Sequence, residues 1–168
     1  MTLEQDNATQ LMQKIIGSVK IFRHIAPDDL KQLLQFAKRL DFTTGECVLR
    51  EGDTSRELFV VLAGEFVLLQ KSPSGAKKIV SERYPGDSFG ELAFCDGDPR
   101  DVSAYTLRDG VLLAFSPYHI PQNQHLALQL YVNLSRELSR RLRNSNQIAL
   151  TNEDAFETAP DVLQSLWA

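Results

Sequence analysis

Residues 86–100 read Gly86-Asp87-Ser88-Phe89-Gly90-Glu91-Leu92-Ala93-Phe94-Cys95-Asp96-Gly97-Asp98-Pro99-Arg100 and form a long connection between two runs of strand-like composition, Lys77–Tyr84 and Val102–Leu107. Gly86 and Gly90 permit turns or a close approach of backbone. Glu91-Leu92-Ala93-Phe94 fits a single helical turn whose free N–H groups would face an anion. Arg100 follows Glu91 by nine residues. A guanidinium holds a phosphate through two parallel charge-assisted hydrogen bonds, whereas an ionised carboxylate only accepts and so suits a sugar hydroxyl. The stretch therefore suits an anion with an adjacent hydroxyl. On spacing alone it suits equally well a Glu91–Arg100 pair closed across the loop, a common and weak arrangement.

Outward from this stretch, residues 39–115 are short runs rich in Val, Leu, Phe and Tyr, punctuated by Gly and Pro about every ten residues. They predict strands at Leu40–Thr43, Cys47–Glu51, Leu58–Ala63, Phe66–Lys71, Lys77–Tyr84, Val102–Leu107 and Val111–Phe115, with breaks at Gly45, Gly52, Gly64 and Gly75. Many short strands with compact turns and no helical crossovers point to a sandwich or jelly roll and away from a parallel doubly wound sheet. Helical periodicity occupies the flanks. Leu11, Ile15, Ile16, Val19 and Phe22, then Leu30, Leu33, Leu34 and Ala37, recur at three- and four-residue steps, with Pro27-Asp28-Asp29 opening the second helix. After Pro121 a helix is predicted from Gln124 to Gln147, its stripe of Tyr131, Leu134, Leu138 and Ile148 interrupted by Arg141 where an apolar residue would fit.

The 168 residues carry 18 Lys and Arg against 22 Asp and Glu, which argues against a generic polyanion binder. The excess of acid lies at residues 151–168, where Glu153, Asp154, Glu157 and Asp161 stand without a Lys or Arg. Val162, Leu163, Leu166 and Trp167 follow Pro160 at helical spacing and call for a surface, either a partner's or the Arg-rich helix itself. Cys47 and Cys95 are too few for a disulfide scaffold and lack CxxC spacing, so reduced thiols in a cytoplasmic protein are expected. Cys95 reads as a small buried apolar residue. The longest apolar runs are far short of a membrane span, so no membrane contact is expected. No nucleotide-binding P-loop, dinucleotide glycine pattern, zinc-protease motif or nucleophile elbow is present, and His24, His119 and His125 lack metal-ligand spacing. The expectation is a non-enzymatic domain with no catalytic residues and no metal or other cofactor.

The run Gly86-Asp87-Ser88-Phe89-Gly90-Glu91-Leu92-Ala93, followed by Pro99-Arg100, resembles the phosphate-binding cassette of cyclic nucleotide-binding domains, as found in catabolite activator proteins and regulatory subunits of cyclic-AMP-dependent kinase. The resemblance extends from about Phe22 to Asn146. It implies an antiparallel β jelly roll with N-terminal helices and a long C-terminal helix. With the periodicity and charge read above, the expected segments are a helical one at 1–38, the roll at 39–121 with its cassette at 86–101, the terminal helix at 122–148 and an acidic tail at 149–168. The implied ligand is cyclic AMP or cyclic GMP, contacted by Phe89, Gly90, Glu91, Leu92, Ala93, Arg100 and Asp101. Arg100 would clasp the phosphate, Glu91 would accept from the ribose 2′-hydroxyl, and backbone N–H groups of Gly90, Leu92 and Ala93 would complete the cradle.

The terminal helix would close over the base and relay occupancy to a protein partner, which the tail could also reach. The Tyr131, Leu134, Leu138 and Ile148 stripe could form a homodimer seam or dock on the same subunit. The residues after 147 cannot hold a helix-turn-helix, so DNA binding by this chain alone is not expected. One position departs from the family pattern: Asp101 stands where Ala, Ser or Thr is usual. Three readings stay open: a carboxylate turned to solvent, one facing and repelling the phosphate, or one paired with Arg100 in an empty pocket. The last two would leave a degenerate domain that binds no nucleotide and acts as a protein-interaction adaptor.

Overall fold

A computed structural model of the chain describes residues 17–119 and 123–151, with side chains to residue 148. The predicted N-terminal positions Leu11, Ile15 and Ile16 and the whole acidic tail beyond Thr151 lie outside the described residues. A 3₁₀ turn at Lys20–Phe22 and helix α1, Pro27–Gln35, lead into the sheet. Pro27 occupies the first helical turn, with Asp28 and Asp29 beside it at the positive end of the dipole. The strands are β1 Lys38–Phe42, β2 Cys47–Leu49, β3 Leu58–Lys71, β4 Lys77–Arg83, β5 Ser88–Phe89 and β6 Ser103–Phe115. Helix α2, Glu91–Asp96, interrupts them after β5, and α3, Gln124–Thr151, follows them.

All pairings are antiparallel, in the order β1-β6-β3-β4, with β2 added to β6 and β5 to β3. The architecture is the expected β roll with flanking helices. Alternation along β3 builds two cores at once. Leu58, Val60 and Leu62 face the helices with Phe22, Phe94, Leu126, Leu130 and Leu134, while Phe59, Val61, Phe66 and Leu68 fill the roll with Phe89, Val102 and Leu112.

The expected break at Gly64 is a correction: β3 runs unbroken from Leu58 to Lys71, and β6 likewise joins the two strands expected on either side of residues 108–110. The register between them shifts three times between Val61 and Phe66 instead of ending. Gly64 sits at φ +84° against Gly110, where a Cβ would lie 2.5 Å from the Gly110 Cα. Two backbones cross there without side chains, and the bend that a turn would have supplied is made inside continuous strands. The short β5, within the cassette, is a strand the sequence did not announce.

The apolar stripe of α3 also divides differently from the expected seam. Leu126, Leu130 and Leu134 are buried on the chain's own roll, so Leu134 is not free to face a partner, while Tyr131 and Ile148 remain exposed. Asn133 fixes this docking by donating to the carbonyls of Ile21, at 3.0 Å, and Arg23, at 2.6 Å. The helix extends to Thr151, four residues past the expected end.

Candidate functional site

The cassette leaves β5 through Gly90, which caps α2 in the left-handed conformation at φ +78°. A Cβ on Gly90 would stand 2.7 Å from Arg100 Nη1 and 2.9 Å from the Glu57 carbonyl. Gly90→Ala is therefore expected to cost about 2 kcal/mol through left-handed strain and crowding, lowering Tm by roughly 4–8 °C for a chain of this size. An unchanged melting curve would show the cassette backbone to be less constrained than described.

Arg100 is 2% exposed. Its Nη1 donates to the Gly90 carbonyl at 2.9 Å, Nη2 to the Glu57 carbonyl at 2.7 Å and Nε to Ser55 Oγ at 3.2 Å, with the Glu57 carboxylate 3.7 Å from Nη2. The guanidinium also lies over the Phe59 ring, 5.7 Å from its centroid. Burial pulls its pKa down and the nearby carboxylates of Glu57, Asp101, Asp53 and Glu91 push it back. It remains charged, since guanidinium titrates far above neutrality. Three of its five N–H groups are thus engaged in holding the two ends of the cassette together.

Glu91 opens α2 and is 8% exposed. Its partner is not Arg100, so the cross-loop pair considered from spacing does not form. Oε1 accepts from Nη1 of Arg141 on α3, and Oε2 is buried without a hydrogen-bond donor among the described residues. Arg141 also donates to the Ser88 carbonyl at 2.7 Å, and Arg83 of β4 reaches the same carbonyl at 3.1 Å. Burial and the neighbouring Arg141 charge lower the pKa of Arg83, while Glu91, Asp87 and Glu137 oppose them.

These groups border a cavity of about 740 Å³ between β4, the cassette and the second half of α3. Of the expected ligand contacts, Gly90, Glu91, Leu92 and Asp101 line it. Phe89 and Ala93 are buried beneath it, Phe89 stacked on Phe59 at 5.1 Å, and Arg100 is not among the lining residues. Asp101 is exposed and makes no ion pair with Arg100, which removes the paired reading of the three. Val80 and Ser81 form the β4 wall, and Leu138, Leu142 and Ile148 the α3 wall. Cys95 is exposed, not buried as expected. Partial burial and the charges of Glu91 and Asp96 hold its thiol pKa up, away from thiolate reactivity.

Sequence reasoning missed Arg83 and Arg141. The one visible signal was Arg141 itself, a charge in an apolar stripe. It belongs to a network in which Glu137 of α3 accepts from Arg140 at 2.6 Å and Arg141 at 3.4 Å, while Lys20 bridges Asp87 at 3.0 Å and Glu137 at 3.9 Å. Burial raises the Glu137 pKa, but the Arg140 hydrogen bond and the charges of Arg141, Arg140 and Lys20 outweigh it and hold the carboxyl below its ordinary range. A depressed carboxyl contributes stability that is fully present above the unfolded-state pKa and is lost as pH falls through the folded one. Glu137→Gln should therefore destabilise the protein at neutral pH, with the gap from wild type closing in acid below the ordinary glutamate range. Urea midpoints across that range check this, and a gap independent of pH would contradict it.

The cyclic nucleotide-binding domain model matches residues 39–122, half of the chain. The chain belongs to the cyclic nucleotide-binding domain family. It is 27% identical over 135 residues to a CRP-like cAMP-activated global transcriptional regulator of Mycobacterium tuberculosis, covering 80% of this chain and 60% of that protein. It is 30% identical over 101 residues to a cAMP-dependent protein kinase regulatory subunit of Dictyostelium discoideum, covering 58% and 31%. The crystal structure of Thermus thermophilus catabolite activator protein superposes with a TM-score of 0.71 at 26% identity, covering 79% of this chain and 62% of that one. The chain thus spans about three-fifths or less of these relatives. No helix among the described residues is long and apolar enough to cross a membrane.

Proposed function

We propose that this cyclic nucleotide-binding domain is a cytoplasmic sensor that takes cyclic AMP or cyclic GMP into the cavity under α3 and relays occupancy through that helix to a protein partner. The observation that carries the reading is Glu91: a buried carboxylate on the cavity wall with one oxygen on Arg141 and the other without a donor. A buried acceptor left unpaired costs about 1–3 kcal/mol, and a ribose 2′-hydroxyl is a donor of the right kind to satisfy it. The cyclic phosphate would lie against the first-turn N–H groups of α2, which have no partner within the helix, with the two N–H groups of Arg100 that no acceptor engages among the described residues. Phe89 and Ala93 act from beneath, shaping the cassette.

The relay follows from the same carboxylate. The first half of α3 is packed on the roll by Leu126, Leu130 and Leu134, and Arg141 ties the second half to Glu91 and Ser88. A ligand that donates to the second oxygen of Glu91 shares with Arg141 the carboxylate that holds α3, and so biases where the second half of α3 lies. No catalytic step enters this account.

One observation favours a second reading, in which the domain binds no nucleotide and serves as an adaptor. Asp101 lines the cavity, and an unscreened carboxylate about 5 Å from a phosphate at an effective dielectric of about 20 costs roughly 3 kcal/mol. Isothermal titration with cyclic AMP, cyclic GMP and 5′-AMP separates the two. The sensor reading expects saturable binding of a cyclic nucleotide, strengthened by Asp101→Ala if the carboxylate faces the phosphate and unchanged if it faces solvent. No heat with wild type or Asp101→Ala at millimolar nucleotide would remove it.

A further inference from the structure

The outer face of α3 carries a groove of about 540 Å³ that shares only Ser139 with the lining of the cavity under the helix. One end is apolar, with Leu128 at 64% exposure, Tyr131 at 39% and Val132. The other end is basic, with Arg136 and Arg143, neither of which makes an ion pair among the described residues. Arg140, which shares its charge with Glu137, lies alongside, and Arg136 also borders a second hollow with Arg23 and His24. An exposed stripe of this kind, half apolar and half cationic, is matched by few segments of a chain whose acids are mostly interspersed with bases.

The seventeen residues that follow Thr151 are one. They carry four acids and no base, and the acids come first: Glu153, Asp154, Glu157 and Asp161 precede Val162, Leu163, Leu166 and Trp167. A segment turning back along α3 meets the basic end of the groove before the apolar end, so the two orders correspond. Reach is sufficient. At 1.5 Å per helical residue, Arg143, Arg136 and Leu128 lie about 12, 22 and 35 Å back from Thr151. An extended return at about 3.3 Å per residue brings Glu157 up to about 20 Å, Asp161 about 33 Å and Trp167 about 53 Å from it.

We infer that residues 152–168 dock intramolecularly on the outer face of α3, with Glu157 and Asp161 against Arg143 and Arg136, and Leu163, Leu166 and Trp167 against Tyr131, Val132 and Leu128. The tail then covers the helix from the side opposite the nucleotide cavity. A partner that needs this face must displace it. The inference stands on the groove and the tail, and does not depend on nucleotide binding.

Trp167 is the sole tryptophan of the chain and reports directly. In the full chain its emission should lie to the blue of free N-acetyl-tryptophanamide. Acrylamide quenching should be several-fold weaker than for that reference and unchanged on tenfold dilution. Arg136→Glu with Arg143→Glu should restore quenching, and adding Glu157→Arg with Asp161→Arg should suppress it again. Circular dichroism shows whether the α3 variant is folded. Glu157→Lys with Asp161→Lys tests the same contact from the tail without touching the domain, and should expose Trp167. Quenching equal to the free reference in wild type would overturn the inference. So would shielding that survives both charge reversals, or shielding that disappears on dilution, which would make the occupant a second copy.

Discussion

Arg100→Ala is expected to abolish saturable cyclic nucleotide binding and to lower Tm by about 10 °C, the largest effect foreseen for any single side chain of the domain. The guanidinium is buried and simultaneously engages the carbonyls of Gly90 and Glu57 and the hydroxyl of Ser55. Truncating a buried, hydrogen-bonded charge leaves these acceptors unpaired, at a cost of roughly 3–5 kcal/mol, and a chain of this size loses about 2–4 °C per kcal/mol. Loss of binding through unfolding is separated from loss through chemistry by Arg100→Lys. Lysine keeps the charge but lacks the planar fork that spans several acceptors. It should stay folded with a smaller drop in Tm and still bind at least ~10-fold more weakly, the equivalent of one charge-assisted hydrogen bond. An Arg100→Lys protein with wild-type affinity would mean that the guanidinium only braces the cassette.

Glu91→Ala is expected to do two separable things. It removes the acceptor for the ribose 2′-hydroxyl, so affinity should fall about 10-fold or more. The loss should be specific: wild type should discriminate against 2′-deoxy cyclic AMP, and Glu91→Ala should bind the two nucleotides alike. It also removes the partner of Arg141, so amide hydrogen exchange in the second half of α3, residues 138–148, should rise without ligand. Arg141→Ala should reproduce that rise while keeping the 2′-hydroxyl discrimination, because the ribose acceptor is still present. If Arg141→Ala leaves exchange in α3 unchanged, the helix is held by other contacts and the relay through Glu91 does not operate.

Much of this was legible in the chain, and the illegible parts share a cause. The apolar run Leu58–Ala63 announces a strand, and the order Gly86 to Ala93 followed by Pro99-Arg100 announces the cassette through its resemblance to the family. Those signals are local, carried by neighbours in sequence. Gly64 looks like a turn for the same local reason, yet it is a crossing point, because its partner Gly110 stands 46 residues away and only the fold brings them together. Arg141 looks like a defect in an apolar stripe because its partner, Glu91, lies 50 residues back. The Glu91–Arg100 pair that spacing left open does not form, for the complementary reason: proximity in sequence allowed a contact, but Arg100 turns toward Glu57 and the Gly90 carbonyl on the far side of the loop.

Asp101 shows how far residue type alone carries. Arg100 is held by Glu57, Ser55 and Gly90 instead of by Asp101, and the choice between a solvent-facing and a phosphate-facing carboxylate becomes an affinity that Asp101→Ala measures.

Occupation of the cavity between the cassette and α3 by a cyclic nucleotide is read out residue by residue in a ¹⁵N-resolved titration of the full chain with cyclic AMP and cyclic GMP. The expected result is saturable shifts of the Gly90, Leu92 and Ala93 amides and of the Arg100 Nε resonance, accompanied by shifts in residues 138–148 of α3. Absence of cassette shifts at millimolar concentrations of either nucleotide, or saturable shifts confined to surfaces away from Gly90, Glu91 and Arg100, would contradict it.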